Sequence, residues 1–216
     1  ALYLCRKKIN KMMTNNPPAW LYRRPRLLNL LHMAGLANPH SQMNAIEKGC
    51  LAKHATGCTC ALEIGTYMGV TASIIATSMD VNGKLYCVDP FEKKNGSENP
   101  GYLMAVRALK RSNALQKTTF LRGYSTNPDI KTKVPANLDF ILVDGDHSYE
   151  GLANDWQIVL DRLAPNGIVC LHDTTIPKEE TYRDFGSVHY FNDVIIKDKG
   201  FTLLETVYSM NVLRRK

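Results

Sequence analysis

The chain has 216 residues, of which 44% are hydrophobic and 22% charged, and this composition supports one globular domain with a single well-filled core. No stretch approaches the roughly 18 to 20 apolar residues of a membrane span, so the sequence predicts none. Two of the six cysteines, Cys87 and Cys170, lie in apolar segments and none has a paired zinc-ligand spacing, which favours free thiols and a cytoplasmic location.

The net charge of +7 is concentrated near the start of the chain. The first 46 residues contain no acidic residue and seven basic ones, Arg6, Lys7, Lys8, Lys11, Arg23, Arg24 and Arg26. Because large apolar residues alternate with these charges, we expect helices that pack on the domain or on a second copy in a homo-oligomer, rather than a nucleic-acid-binding tail. The sequence therefore predicts a basic helical extension over 1–44 and a catalytic domain over 45–216.

Apolar spacing predicts helices over 26–37 and 42–55, after which strand-like and helix-like segments alternate. The predicted strands are at about 60–64, 84–88, 118–122, 138–143 and 167–172. The predicted helices between them are at about 69–79, 101–114 and 149–163. This alternation indicates an α/β fold with a parallel sheet and right-handed crossovers, and 200–208 with 210–214 predict a closing hairpin.

The first predicted strand leads into a turn with two glycines, Glu63-Ile64-Gly65-Thr66-Tyr67-Met68-Gly69. Glycines let the backbone approach a ligand, and the helix that follows begins with free N–H donors. The spacing is E-x-G-x-x-x-G rather than the G-x-G-x-x-G of dinucleotide-binding proteins, which argues against an NAD-type oxidoreductase. An acid before the first glycine suits a cationic ligand group, such as the amino group of S-adenosylmethionine (SAM).

Three further predicted strands also end in polar residues. The second ends at Asp89, where doubly wound folds hold a ribose by its hydroxyls. The fourth runs into Asp144-Gly145-Asp146-His147-Ser148-Tyr149-Glu150, and the fifth ends at His172-Asp173. Open α/β sheets bind ligands at the carboxyl ends of their strands, so these side chains predict one shared site.

Together these motifs resemble the class I SAM-dependent O-methyltransferases. The similarity is to the catechol and caffeoyl-CoA type and to the sugar and antibiotic methyltransferases that carry a D-G-D-H-S-Y-E segment, and it runs from about Ala45 to the C-terminus. The resemblance implies a Rossmann-like, mostly parallel seven-stranded sheet with an antiparallel last strand and helices on both faces.

The resemblance also implies which residues form the site. The implied cofactor-binding residues are Glu63, Gly65, Thr66, Tyr67, Gly69, Thr71, Asp89, Ser125 and Asp144. The implied ligands of a divalent metal, Mg²⁺ or Mn²⁺, are Asp144, His172 and Asp173. Catechol-type enzymes have Asp-Asn where this chain has His172-Asp173, so an imidazole replaces a carboxylate.

Methyl transfer to a hydroxyl also needs a base to remove the proton. Two residues compete for this role: Asp146, which the resemblance favours, and His147, whose ordinary pKa of about 6.5 suits it. The sequence thus predicts methyl transfer from SAM to a hydroxyl of a small sugar, phenolic or natural-product acceptor, with help from a divalent metal. A metal-independent enzyme, an RNA-directed methyltransferase and a non-catalytic nucleotide-binding protein stay as alternatives.

Overall fold

The computed structural model describes residues 19–178 and 184–216. Four of the basic residues of the predicted extension, Arg6, Lys7, Lys8 and Lys11, lie outside the described residues. The strands are β1 Cys60–Ile64, β2 Lys84–Asp89, β3 Thr118–Arg122, β4 Leu138–Val143, β5 Leu163–Leu171, β6 Phe201–Val207 and β7 Met210–Arg215. The α-helices are α1 Ala19–Tyr22, α2 Pro25–Met33, α3 Ala45–Ala55, α4 Val70–Ser78, α5 Pro100–Arg111, α6 Pro128–Lys133, α7 Tyr149–Arg162 and α8 Gly186–Asp193.

The strands form one seven-stranded sheet in the order β3-β2-β1-β4-β5-β7-β6. Strands β1 to β5 are parallel, and β7 lies between β5 and β6 and is antiparallel to both. The predicted Rossmann-like sheet with an antiparallel last strand is confirmed. The strand order reverses beside β1, which has β2 on one side and β4 on the other, and such a switch point opens a ligand-binding crevice at the carboxyl ends of the strands.

Both faces of the sheet are covered by helices, so its central strands are apolar on both sides. Side chains alternate along β1, and Leu62 and Ile64 contribute to one hydrophobic cluster while Ala61 contributes to the other. The first cluster includes Trp156 of α7, and the second includes Ile75 of α4. No helix within 19–178 or 184–216 has the length and apolar character needed to cross a membrane.

Strand β5 differs from its prediction, because it begins at Leu163 and not at residue 167. Pro165-Asn166-Gly167 has the composition of a turn, which is why the predicted strand begins only at residue 167. In the structure, Asn166 adopts a φ of +63°, and the pairing of β5 with β4 shifts in register between Leu138 and Phe140. A bulge therefore accommodates the turn residues inside the strand. The short helices α6 and α8 were not predicted.

The described part of the N-terminal extension packs against α5. Leu21 and Leu28 form a small buried cluster with Met104 of α5. The Arg111 Nη1 atom lies 2.6 Å from Nε2 of buried His32, whose pKa is lowered to about 4 by burial and by the charges of Arg111 and Arg107. Neutral His32 can therefore accept a hydrogen bond from Arg111. The predicted division at residue 44 stays a prediction.

Candidate active site

A cavity of about 390 Å³ opens at the carboxyl ends of the central strands, at the switch point of the sheet. Most of the predicted cofactor-binding residues line it, namely Gly65, Thr66, Tyr67, Thr71, Asp89, Ser125 and Asp144. Glu63 and Gly69 are not among the lining residues. The fold therefore brings four separate sequence motifs, at the ends of β1, β2, β3 and β4, to one cavity.

Both glycines of the turn after β1 are required by close backbone contacts. Gly65 has a φ of +91°, and a Cβ atom there would overlap the backbone carbonyl of Asp144. Gly69 has a φ of +76°, and a Cβ atom there would lie 2.6 Å from the Cα atom of Ala105. Glycine is favoured at both positions because a Cβ atom would overlap the neighbouring backbone and because positive φ angles are strained for residues with a Cβ. The turn can thus stay close to β4 and α5 while it forms a cavity wall.

Two backbone N–H groups, one from the turn after β1 and one from the segment after β2, hold the Asp89 carboxylate in place. The Tyr67 N–H donates a hydrogen bond of 2.8 Å to Oδ2 of Asp89, and the Phe91 N–H donates one of 3.0 Å to Oδ1. Burial raises the pKa of Asp89, and these backbone hydrogen bonds offset part of that rise. Each carboxylate oxygen has a further lone pair, so Asp89 is a fixed acceptor on the cavity wall.

Glu63 is fully buried and lies beside Cys87, Thr66 and Thr71 rather than on the cavity wall. Burial raises its pKa to about 8, although the nearby Thr71 and Thr66 hydroxyls offset part of the rise. Neither carboxyl oxygen has a well-formed hydrogen bond to any described residue. Thr66 and Thr71 form this part of the wall instead, so a direct contact of Glu63 with the cofactor stays a prediction.

Four ligand-type side chains converge where β4 and β5 end. Asp144, His147, His172 and Asp173 each offer one nitrogen or oxygen atom, and these atoms all lie within 4.8 Å of one another. The His172 Nδ1 atom lies 2.8 Å from Oδ1 of Asp144, and the His147 Nδ1 atom lies 3.4 Å from Oδ2 of Asp173. The three predicted metal ligands are therefore together, and His147 joins them. Of the four, Asp144 and His147 reach the cavity wall.

A buried glutamate of α3, Glu47, lies on the other side of His172. Its Oε1 atom is 3.5 Å from Nε2 of His172 and accepts hydrogen bonds from the Ser209 backbone N–H and hydroxyl, at 3.1 and 2.7 Å. Burial lowers the pKa of His172, but the carboxylates of Asp144 and Glu47 outweigh it and raise the pKa to about 10. The sequence analysis missed Glu47. The pattern that could have identified it is a capping box, in which Glu47 follows Asn44, the N-cap residue of α3, by three residues.

The two candidate bases have different surroundings. Asp146 is exposed on the cavity wall, and its two oxygens accept hydrogen bonds of 3.0 Å from the N–H and the hydroxyl of Ser148. The Ser148 hydroxyl in turn accepts a hydrogen bond from the Gly151 N–H and caps α7. The carboxylate of Asp144, whose Oδ1 atom lies 3.6 Å from Nε2 of His147, raises the pKa of His147 against the effect of burial. Asp146 thus supports the α7 N-terminus, while His147 belongs to the His and Asp cluster.

A family model described as a methyltransferase domain matches residues 62–174, which is more than half of the chain. The chain belongs to this methyltransferase family. The matched segment begins in β1 and ends directly after Asp173, so it includes the glycine turn, Asp89 and the His and Asp cluster. No match to this chain was found among curated proteins.

Solved methyltransferase structures have the same fold. The O-methyltransferase TomG from Streptomyces achromogenes, involved in tomaymycin synthesis and bound to SAM, is 16% identical with a TM-score of 0.64, over 88% of each chain. An O-methyltransferase from Bacillus cereus, in complex with SAH, is 17% identical with a TM-score of 0.65, over 99% of this chain and 97% of that one.

The SAH-bound methyltransferase PaMTH1 from Podospora anserina is 15% identical with a TM-score of 0.64, over 100% of this chain and 95% of that one. At such identities the likeness shows the fold, and the family match adds the methyltransferase assignment. The predicted resemblance to class I SAM-dependent methyltransferases is confirmed.

One wall of the methyltransferase cavity comes from the segment before α3, where the sequence predicted no site residue. His40, Ser41 and Gln42 line the cavity, and the His40 ring stacks on Tyr22 of α1 with 3.9 Å between ring centroids. Burial and the charge of Lys48 lower the pKa of His40, so it is neutral near pH 7. No motif marks this segment, because its place on the wall depends on how the extension packs.

Proposed function

We propose that the protein transfers the methyl group of SAM to a hydroxyl oxygen of a small molecule, such as a sugar, a phenol or a natural product. One observation carries this proposal: a single cavity has the glycine turn and Asp89 on one side and Asp144 with His147 on the other. The methyl donor can therefore bind in a cavity whose wall also carries side chains that could act on the acceptor. Two of the similar solved structures are O-methyltransferases, which supports oxygen as the accepting atom.

In this reaction the acceptor oxygen attacks the methyl carbon, the bond from that carbon to sulfur breaks, and S-adenosylhomocysteine (SAH) is the product. The hydroxyl proton passes to a base, and we assign this role to His147, with Asp146 as the alternative. His147 lies on the cavity wall and contacts Asp173 and Asp144, whose charges stabilise its protonated form. Much of the rate would come from holding acceptor, methyl carbon and sulfur in line.

The cluster at the ends of β4 and β5 fits a divalent metal. Asp144, His172 and Asp173 would hold it, since two carboxylates and an imidazole within 4.8 Å of one another form a mixed oxygen and nitrogen donor set, and His147 beside them would act as the base. Glu47 behind His172 would orient that ring, as carboxylates do for many metal-bound histidines. The imidazole of His172 favours Mn²⁺ over Mg²⁺. Such a metal would lower the pKa of an acceptor hydroxyl and fix its position.

The proposal is tested by calorimetry and by transfer of labelled methyl groups. The protein should bind SAH and not NAD, and Asp89→Ala should weaken SAH binding by about 1.5 to 3 kcal/mol, the scale of a hydrogen bond to a charged group. Labelled SAM should transfer its methyl group to members of a panel of catechols, sugars and other hydroxylated compounds. Equal affinity for NAD, or an unchanged Asp89→Ala variant, would count against the cofactor assignment.

A metal-independent mechanism is the second candidate, and the surroundings of His172 favour it. Its two ring nitrogens already face the carboxylates of Asp144 and Glu47, so the side chains of the cluster compensate one another's charges. Full activity in an exhaustively chelated enzyme would establish this mechanism, whereas restoration of activity by Mn²⁺ would establish the metal. Labelled methyl groups appearing in RNA would favour the RNA-directed alternative. A homo-oligomer and a cytoplasmic location stay predictions.

A further inference from the structure

Cys50, His54 and Glu205 form another cluster of metal-ligating side chains, and none of the three lines the cavity. Each offers one ligand atom, and the sulfur, nitrogen and oxygen atoms all lie within 4.8 Å of one another. The His54 Nε2 atom is 2.5 Å from Oε1 of Glu205. Because Glu205 follows His54 by 151 residues, no local sequence spacing indicates this thiol cluster.

Two members of the thiol cluster share one face of α3. Cys50 and His54 are four residues apart, and residues with this spacing are neighbours on a helix surface. Cys50 is 8% exposed and belongs to the same hydrophobic cluster as Ile75, while the His54 side chain is 12% exposed. The thiol and the imidazole therefore point from α3 towards the sheet.

A bulge in β6 brings the third member to the same place. Successive side chains of a regular strand alternate between the two faces of the sheet, so Leu204 and Glu205 would face opposite ways. Instead, the pairing of β6 with β7 shifts in register between Leu203 and Glu205. Leu204 packs against the hydrophobic cluster of Cys50, and Glu205 pairs with Val212, which belongs to that cluster. The bulge thus places the Glu205 carboxylate on the face of the sheet that α3 covers.

The charges around the thiol cluster suit a bound cation. Burial and the charge of Glu205 raise the pKa of Cys50 to about 11, so the thiol keeps its proton until a cation displaces it. The Lys53 Nζ atom lies 2.6 Å from Oε1 of Glu205, but the Lys53 side chain is 64% exposed. Lys53 can therefore turn into solvent when a cation takes its place beside Glu205.

We propose that Cys50, His54 and Glu205 bind a zinc ion, with a water molecule as the fourth ligand. Thiolate and imidazole are preferred ligands of Zn²⁺, whose usual coordination in proteins is tetrahedral. Zinc bond lengths of about 2.0 to 2.3 Å put the ligand atoms about 3.5 Å apart, so small side-chain rotations are sufficient. As the bond from sulfur to zinc forms, the thiol proton passes to solvent.

The zinc ion would join α3 to the hairpin of β6 and β7 at a second point. At the start of α3, Glu47 already accepts hydrogen bonds from the backbone N–H and hydroxyl of Ser209, which lies between the two strands. The zinc ion would hold the later part of α3 to β6. Its role would therefore be structural, and it would fix the helix that places Glu47 beside His172.

The experiment titrates Co²⁺ into protein freed of metal by chelation. Co²⁺ occupies zinc sites and gives a near-ultraviolet charge-transfer band only when a thiolate is bound to it. The cluster of Asp144, His147, His172 and Asp173 contains no cysteine, so Co²⁺ bound there gives no such band. The wild-type protein should show the band, and excess Zn²⁺ should remove it.

Three variants assign the band to individual ligands. Cys50→Ser should lack it, and Glu205→Gln should need at least about tenfold more Co²⁺ for the same signal. The matched control is Cys60→Ser, which removes a partly buried thiol outside the cluster and should keep the wild-type band. Thermal unfolding checks that each variant is folded. If Cys50→Ser is not, His54→Gln gives the same test and should also need at least about tenfold more Co²⁺.

Each outcome has a defined meaning. The absence of a thiolate band in the wild-type protein overturns the proposal, and so does a band that persists in Cys50→Ser. Wild-type affinity for Co²⁺ in Glu205→Gln or in His54→Gln overturns the assigned ligands. Because the thiol cluster lies outside the cavity, none of these outcomes depends on the proposed methyl transfer.

Discussion

Replacing Glu63 with glutamine should change the pH dependence of stability. Glu63 is fully buried, and its pKa of about 8 in the folded protein compares with an ordinary value of 4.5. Between these two pH values the unfolded chain releases the Glu63 proton more readily than the folded protein does. Wild-type stability therefore falls as the pH rises from 4.5 to 8, and Glu63→Gln removes this loss because glutamine does not titrate.

The size of the effect follows from the shift in pKa. At about 1.4 kcal/mol per pKa unit, the shift corresponds to about 4 kcal/mol between pH 4.5 and pH 8.5. In a protein of this length, 1 kcal/mol changes the melting temperature by about 2 to 4 °C, so the variant should gain about 10 °C relative to wild type over this range. Any constant cost of burying the amide cancels, because the comparison is between two pH values.

The assay is thermal unfolding of the ligand-free wild type and Glu63→Gln at pH 5 and pH 8.5, with Glu150→Gln, at an exposed glutamate, as the baseline for the same substitution outside the core. If the melting temperatures of Glu63→Gln and wild type differ by the same amount at both pH values, Glu63 is not buried in its protonated state. SAH calorimetry adds a second readout. Since Glu63 does not line the cavity, SAH binding by Glu63→Gln within about threefold of wild type, or about 0.7 kcal/mol, would count against the predicted direct contact of Glu63 with the cofactor.

Three further substitutions test the fold and the site. Gly65→Ala should abolish SAH binding and cost at least about 2 kcal/mol of stability, because its Cβ atom would overlap the Asp144 carbonyl; normal SAH calorimetry would contradict this. Trp156→Ala should cost about 3 to 5 kcal/mol in urea unfolding, since the ring is buried, and a loss below about 1 kcal/mol would show that the core refills. In chelated protein, Glu47→Gln should lower the melting temperature at pH 7. The raised pKa of His172 stabilises the wild type fully below pH 6.5, and this stabilisation is lost as the pH rises towards 10. Between these pH values Glu47→Gln should therefore lose less stability than the wild type does. Parallel plots of melting temperature against pH for the two proteins would refute the pairing of Glu47 with His172.

The sheet could be predicted because each central strand has a distinct apolar run that ends in a polar residue. Four of the five parallel strands begin within one residue of the predicted position. Strand β5 was the exception, because Pro165-Asn166-Gly167 has the composition of a turn and the bulge that keeps it in the strand depends on pairing with β4. The helix α8 was missed because its apolar positions, such as Val188 and Phe191, are few and lie in a short segment.

The part of the site at the strand ends was also predictable, since parallel strands bring their carboxyl ends to one edge of the sheet. Asp89, Asp144, His172 and Asp173 were identified in this way. Asp155 was not, because it lies inside a helix, eleven residues after the strand-end motif, and only the packing of α7 on the sheet brings it to the cavity. Glu63 shows the opposite limit: it is the first residue of the glycine-turn motif, but it lies inside β1, which is buried on both faces, and it does not line the cavity.

The segment from His40 to Glu47 connects the cavity wall with the His and Asp cluster. His40 lines the cavity, Asn44 caps α3, and the N–H of Asn44 donates a hydrogen bond of 2.9 Å to the same Glu47 carboxylate that faces His172. The predicted division at residue 44 would therefore separate His40 on the cavity wall from Glu47 beside His172. Because the His40 ring also stacks on Tyr22, truncations that keep the cavity intact must end before α1.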